Sequence, residues 1–570
     1  MKYLNLIFVL LTALAVTGAE ENDSHIMPAD AALMNMAESA DSSTDTEHSG
    51  HDVQDMMPGM VMNKSADSSA ETVHAGHEMH GETAGTGNAH ASTGPVDLGA
   101  AVITGALGLA LIIGMIAFFQ SLRGKDLLEY TWFKKLLKSN LYPKILQIPT
   151  LFFFGFITYY FFWGSLSYSQ NPGSILAWTL WWPLVPLTFI LLGRIWCVIC
   201  PIPLVGEFFQ KFIRPTRRPG RFLIKYGIWI TDGIFIAITL FDRLYGMVDK
   251  PWLSGMIFLL ITGGAIILSI RYERRSFCKH ICFLGGVSGN YSMLAGVSIE
   301  SKNPERCATC RVRACYFGSG NTPGCPYAQF MPAKIGMRNC NLCASCIKNC
   351  PYDNVAFRTR SIASELWSHA KVSFSESFFA KLMVGIVIIQ NLGMLAVWSN
   401  LQNWVMQFGI GEKMAVILLY FAAIVLPLAL MTITSYLSSS LQTEKGTMLA
   451  NFAAFGYAFI PIDVAGHLAH NLFHLLAEGK SIIGAFLGLF TGRVDYSGAV
   501  VSSSVVTGLQ FGLIIAGGFG TLYVAYRIAR AKEQSTIAAL RIVLPHALLL
   551  VLVFAVNLFL FITPMAHRGG

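Results

Sequence analysis

Ten apolar stretches dominate this chain, near residues 97–119, 146–163, 174–192, 223–241, 253–270, 378–398, 413–436, 447–471, 502–526 and 541–563. Each approaches the run of about 20 residues that a helix needs to cross the hydrocarbon of a bilayer. In that solvent each backbone amide must be satisfied within its own segment, so the expected fold is an α-helical polytopic membrane protein of about ten spans. Charged residues make up only 13% of the chain, against about 25% in soluble domains. A soluble enzyme and a disordered regulator are therefore poor fits. The net charge of +8 does not point to nucleic acid either, because the cations are concentrated in particular loops.

Those loops set the topology. Arg123, Lys125, Lys134, Lys135, Lys138 and Lys144 follow the first stretch, Arg194 to Lys225 follow the third, and Arg271, Arg274, Arg275 and Lys279 follow the fifth. Basic loops stay in the cytoplasm, which places residues 272–377 inside and the uncharged loop from Gly164 to Gly173 outside. The first membrane domain then spans 96–271 and the second 378–570, with the C-terminus outside. Residues 480–490 are too few to span and are expected to lie at the outer interface. The expected location is the bacterial inner membrane, with lipid as the surrounding partner.

Residues 1–19 have one early lysine, an apolar run from Leu4 to Val16, and small residues up to Ala19. This is a signal-peptide pattern, with an uncleaved anchor as the alternative. Residues 20–95 contain no Cys, Phe, Trp or Tyr, so they are expected to be a disordered extracytoplasmic tail. That tail holds His48, His51, Met56, Met57, Met60, Met62, His74, His77, Met79 and His80. Thioethers select Cu(I) and imidazoles accept Cu(II), so the composition suits copper capture.

All 12 cysteines lie between Cys197 and Cys350. Cys340-x2-Cys343-x2-Cys346-x3-Cys350-Pro351 is the bacterial ferredoxin run, in which the fourth cysteine serves the other cluster. Its partner is Cys307-x2-Cys310-x4-Cys315, followed by Cys325-Pro326. The expectation is a small α+β ferredoxin-like domain at about 301–360 with two 4Fe–4S clusters. Cys307, Cys310, Cys315 and Cys350 would hold one, and Cys340, Cys343, Cys346 and Cys325 the other. Structural zinc is the alternative for paired cysteines. Arg306, Arg311, Arg313, Lys334, Arg338, Lys348, Arg358 and Arg360 surround the block and would attract an acidic electron donor.

Four cysteines remain. Arg194-x2-Cys197-x2-Cys200-Pro201 follows the third stretch, and Arg275-x2-Cys278-x3-Cys282 follows the fifth. Equivalent placement makes this an internal repeat, and the two pairs are expected to meet as a third redox or metal site. With these pairs and the ferredoxin block in place, residues 140–365 resemble the membrane polyferredoxins, the group of NosR, NapH and CcoG. The resemblance implies electron transfer from a cytoplasmic or quinol donor to an acceptor at or beyond the membrane, and in one branch copper reduction. The first pair has one residue fewer than that family's usual spacing, and Phe283 stands where the family's second pair has proline.

The largely apolar segment 447–476 carries four ionisable residues on its histidine-rich end, Asp463, His467, His470 and His474. At 100° per residue these four fall within about 60° of one another. Ionisable groups inside a span are costly unless used, so a copper site or a haem b is expected there. Copper is favoured, because His546 lies too deep and His567 sits in the C-terminal tail. No phosphate-binding loop, nucleophile elbow or HExxH is present, which leaves hydrolase and ATP-pump readings unsupported. The expected function is iron–sulfur electron transfer, fed by reduced ferredoxin, flavodoxin or quinol. Its destination would be copper or a periplasmic metalloprotein. A quinol dehydrogenase component serving a periplasmic reductase, and a copper transporter or sensor with a regulatory ferredoxin domain, are the alternatives.

Overall fold

The computed structural model describes residues 96–563 apart from 214, 216, 321, 332–335, 369–371 and 445. The signal-peptide stretch, the His/Met tail, Lys334, Arg214 and His567 lie outside the described residues. Among those described, ten helices are long and apolar enough to cross a membrane: α1 Leu98–Ser121, α2 Lys144–Trp163, α3 Pro172–Leu192, α4 Arg221–Tyr245, α5 Pro251–Arg271, α6 Phe374–Leu392, α7 Glu412–Ser440, α8 Met448–Ala477, α9 Ser503–Lys532 and α10 Thr536–Ile562. The protein is therefore mostly helical and multi-pass. The second membrane half begins at Phe374 rather than 378, and α6 stops at Leu392 rather than 398. The chain turns at Gly393 and restarts as a separate helix, Ala396–Met406, whose Asn and Gln residues suit the edge of a bundle.

Residues 276–294 turn back into the bundle, where Phe283 and Tyr291 are buried, and residues 297–368 form an insert on one side of it. Its frame is an antiparallel pair, β1 Val297–Ser301 and β2 Val355–Thr359, in register from Val297↔Thr359 to Ser301↔Val355. The loop after α1 packs on this pair: Gly124 N–H donates to Thr359 O, and Lys134 and Lys138 hold Asp353 at 2.6 and 2.9 Å. On the opposite side, Gly479–Thr491 is a short apolar helix whose Ala485 packs on Ile157, Ile175 and Leu176.

α1 and α8 show how sequence sets depth. α1 is apolar all round and mostly exposed, and small residues such as Gly105 and Gly508 bring it close to its neighbour α9. A Cβ on Gly105 would stand 2.8 Å from the Gly508 carbonyl, so backbone contact replaces side-chain packing there. α8 carries the polar stripe and is almost wholly buried. Its ionisable residues face protein instead of lipid, as the cost of solvating them in hydrocarbon demands.

α3 widens into a π-helical stretch at Leu176–Trp181, just before Pro183 and Pro186. Proline donates no backbone hydrogen bond, which loosens the turn preceding it. Such wide turns commonly serve sites. Here Trp178, Trp181 and Trp182 are turned onto a cavity described below.

Candidate cysteine centres

The eight insert cysteines lie between β1 and β2. Cys307, Cys310, Cys315 and Cys350 line one pocket, closed by Phe330, Met331 and Tyr352. Asn354 marks its polar edge, its side-chain amide donating to Cys307 Sγ at 3.2 Å and its backbone N–H to Cys350 Sγ at 3.3 Å. The long interval between Cys315 and Cys325 is a small hairpin, Gly318–Ser319 paired with Thr322–Pro323. It returns Cys325 beside Cys315, whose carbonyl accepts from the Cys325 N–H at 3.0 Å.

Cys325, Cys340 and Cys343 lie close enough to act on one another electrostatically. Burial pushes the Cys343 thiol up to about 11, and the charges of Cys325 and Cys340 add to the shift. Cys346 sits on the short helix Ser345–Asn349 that follows. Leu342 and Ala344, inside the Cys340–Cys346 run, take positive φ, as does Arg313 between Cys310 and Cys315. A left-handed residue without glycine costs about 1–2 kcal/mol. Three at these positions reverse the chain between successive cysteines and turn their sulfurs inward, which fits a cage around a compact group.

The two remaining pairs are built alike. Arg194 precedes the helix Ile195–Ile199 bearing Cys197, and Cys200 ends it before Pro201–Ile213. Arg275 precedes the helix Ser276–His280 bearing Cys278, and Cys282 caps the helix Phe283–Tyr291. Phe283 thus takes the first helical position that Pro201 holds in the other copy, and it stacks on Phe235 at 5.4 Å. The packing brings Cys197, Cys200, Cys278 and Cys282 into one electrostatically coupled group.

Buried arginines brace that group. Arg275 donates to Glu207 at 2.6 Å and to the Cys197 carbonyl at 2.7 Å. Arg194 reaches the Arg338 carbonyl at 2.5 Å and lies over the Tyr327 ring at 4.7 Å. Burial raises the thiols of Cys200 and Cys278 well above their ordinary value and that of Cys282 to about 11, while the arginine charges pull the other way. Thiols in such a place stay neutral until a metal takes the proton's place. The guanidinium groups then offset the charge of the resulting thiolates.

The polar stripe of α8 is arranged differently. His467 Nδ1 lies 3.3 Å from the Tyr291 hydroxyl, His470 Nδ1 3.1 Å from Asn391 Oδ1, and His474 Nδ1 3.0 Å from Glu478 Oε1. Asp463 is buried with neither carboxylate oxygen hydrogen-bonded among the described residues. The structure does not gather these four into one ligand set. Among the described residues no three His, Cys, Asp or Glu side chains stand as ligands of a single ion. The same holds for the cysteine groups, but a cube offers each thiolate its own iron and does not require such convergence.

Residues 174–219 and 254–297 match the model of a 4Fe-4S binding domain. No curated protein and no solved structure matches the chain. The matched segments are the two repeats that carry Cys197, Cys200, Cys278 and Cys282. Together with the ten helices, the match fits an iron–sulfur membrane protein. Sequence reasoning missed Asn354, Glu207 and Tyr327 as neighbours of the cysteines. Tyr327 stands two residues after Cys325, but nothing in the spacing shows that Arg194 lies against it.

Proposed function

We propose that this protein transfers electrons between the insert side of the bundle and a carrier within or beyond the membrane. The observation that carries this reading is the meeting of the two cysteine pairs, one from each matched repeat, between the insert and an apolar cavity. Cys307, Cys310, Cys315 and Cys350 would hold one cluster, Cys325, Cys340, Cys343 and Cys346 a second, and the two pairs a third. When bound, 4Fe–4S clusters supply reversible one-electron storage whose potential the protein tunes by charge, hydrogen bonds and exposure. Arg306, Arg311 and Arg313 are exposed beside the first quartet, where they would receive an acidic donor such as reduced ferredoxin or flavodoxin from the cytoplasm.

The cavity favours a quinol as the alternative donor, and with it the role of a quinol dehydrogenase component serving a periplasmic reductase. Its lining runs from Phe283 and Leu284, next to Cys282, past Trp178, Trp182 and Phe258 to Thr239, Arg243 and Tyr420. A flat apolar ring with polar oxygens suits walls of that kind. Thr239 and Tyr420 lie 2.6 Å apart and offer hydroxyls at the far end. The copper end of the reading rests on the chemistry of the His/Met tail, with copper or a periplasmic metalloprotein as the acceptor.

Anaerobic purification with iron, sulfide and electron paramagnetic resonance analysis tests the proposal. The expected result is about four irons for each of three clusters. Paired Cys197→Ser and Cys278→Ser changes should remove about a third of the iron. Zinc in place of iron would sink it. Oxidation of added quinol, lost in Trp182→Ala while the clusters remain, would favour the quinol route over a soluble donor.

A further inference from the structure

The second membrane half holds an ionisable pair that the electron path does not use. Lys381, on α6, is 0% exposed. Its Nζ contacts the Ser435 hydroxyl of α7 at 3.1 Å and lies 3.5 Å from the centre of the Phe452 ring of α8. His546, on α10, stacks on Phe455 at 4.2 Å, one helical turn from Phe452. Both His546 ring nitrogens are buried without a hydrogen-bond partner among the described residues. The charge of Lys381 acts on His546 across this contact.

A structural role accounts poorly for the pair. Lys381 is too buried to snorkel to an interface. It also lacks a carboxylate, although a buried cation without a counter-charge is among the most expensive groups a bundle can hold. The titratable groups on the surrounding helices are otherwise engaged or distant. Glu376 of α6 is taken by Arg338 at 2.8 Å and by the Tyr457 hydroxyl of α8 at 2.9 Å. Asp463 of α8 lies two turns beyond Phe455, and Asp232 of α4, without a hydrogen-bond partner among the described residues, lies in the field of Arg338. On α10, Arg541 is exposed near the insert-side end. An amine and an imidazole with free lone pairs, held together in a dry place, form a proton acceptor.

Two features connect this acceptor to its surroundings. Toward the insert side, Asn451 is fully buried one turn below Phe455 and accepts from Gln442 at 2.8 Å, and Gln442 reaches the bundle edge. The second connection is α6 itself. Arg338, which ion-pairs with Glu376 in the first turn of α6, is two residues from Cys340. The cluster-bearing insert and the helix carrying Lys381 are therefore mechanically and electrostatically joined.

We propose that Lys381 and His546 form a proton-accepting site that fills from the insert side, by way of Gln442 and Asn451, when the iron–sulfur groups are reduced. The inference rests on the electron-transfer reading above. For each turn of the step, one electron passes from the external reductant to a cluster, and one proton passes from water to the Lys381 amine or the His546 ring. The added negative charge is thereby balanced inside the low-dielectric bundle.

The test is a dithionite redox titration of the full-length protein between pH 6 and 9, followed by electron paramagnetic resonance. In the unaltered protein the reduction equilibrium of at least one cluster should change tenfold per pH unit, about 59 mV for one electron. Lys381→Met and His546→Phe should each flatten that slope while the cluster signals and iron content stay unchanged. Lys381→Arg stays protonated across this range and cannot take up a further proton, so it should flatten the slope too and guards against a folding defect in the first variant. A pH-independent potential in the unaltered protein, or an undiminished slope in all three variants, overturns the inference. Absence of any iron–sulfur signal would instead overturn the electron-transfer reading.

Discussion

The insert and the bundle edge present the same thiol group in two settings. In the insert, cysteines three to five residues apart are separated by left-handed residues such as Leu342 and Ala344, which reverse the chain between them. Asn354 donates to two of their sulfurs, those of Cys307 and Cys350. At the bundle edge, two pairs from distant repeats meet only because α3 and α5 deliver them to the same place, and buried Arg194 and Arg275 stand in for solvent. Local chain geometry builds the first kind of site, whereas tertiary packing builds the second. A damaged brace should therefore destroy a bundle-edge site outright, and a lost hydrogen bond should only retune an insert site.

The largest effect is expected at Arg275. It is buried and holds both Glu207 and the Cys197 carbonyl, and leaving a buried acceptor unsatisfied costs about 1–3 kcal/mol. Arg275→Met should release the iron held by the two pairs and leave the insert's signals in place, as read by iron analysis and paramagnetic resonance. Simultaneous loss of the insert clusters would break the comparison, because the two settings would then be one folding unit. A smaller effect is expected for Asn354→Asp, which removes a donor to Cys307 Sγ and adds a negative charge. The potential of the cluster proposed at Cys307, Cys310, Cys315 and Cys350 should fall, by no more than the roughly 1.5–3 kcal/mol of a hydrogen bond to a charged group. An unchanged potential would show that the amide does not reach the reduced state.

The same contrast explains what could be read from the chain before its folding was known. The ten spans were legible because hydrocarbon sets a minimum apolar length, and none had to be inferred from packing. The end of α6 was not, since Trp398 and its neighbours continue the apolar composition past the turn at Gly393. Short spacings group Cys307, Cys310 and Cys315, the ferredoxin run's distant fourth cysteine adds Cys350, and all four line one pocket. For the two pairs the repeat was visible but its bracing was not, because Glu207 and Tyr327 come from separate segments. On α8 the angular stripe could be counted from the sequence. The partners of its histidines could not, because Tyr291 and Asn391 come from other helices. Lys381 lay in plain view inside an apolar run, yet only burial on every side distinguishes it from a lysine at a helix end.

The smallest predicted effect is also the one that best isolates the insert from the bundle. Asp353 lies just beyond Cys350 and is held by Lys134 and Lys138 from the loop after α1. Hydrogen bonds from those two lysines hold its carboxyl down at about 2, against an ordinary value near 3.9. A depressed native value means that the ionised form is favoured by folding, so this contribution is complete above about pH 4 and is lost as pH falls toward 2. The group is 43% exposed, and solvent screening keeps the contribution below about 1 kcal/mol. Asp353→Asn should therefore loosen the docking of the loop on the insert slightly at neutral pH, and the variant and unaltered protein should converge in acid. Hydrogen exchange of residues 122–143 measures this directly. A difference that persists at pH 2 would mean that Asp353 acts by shape, not charge, and that this part of the insert is set by packing.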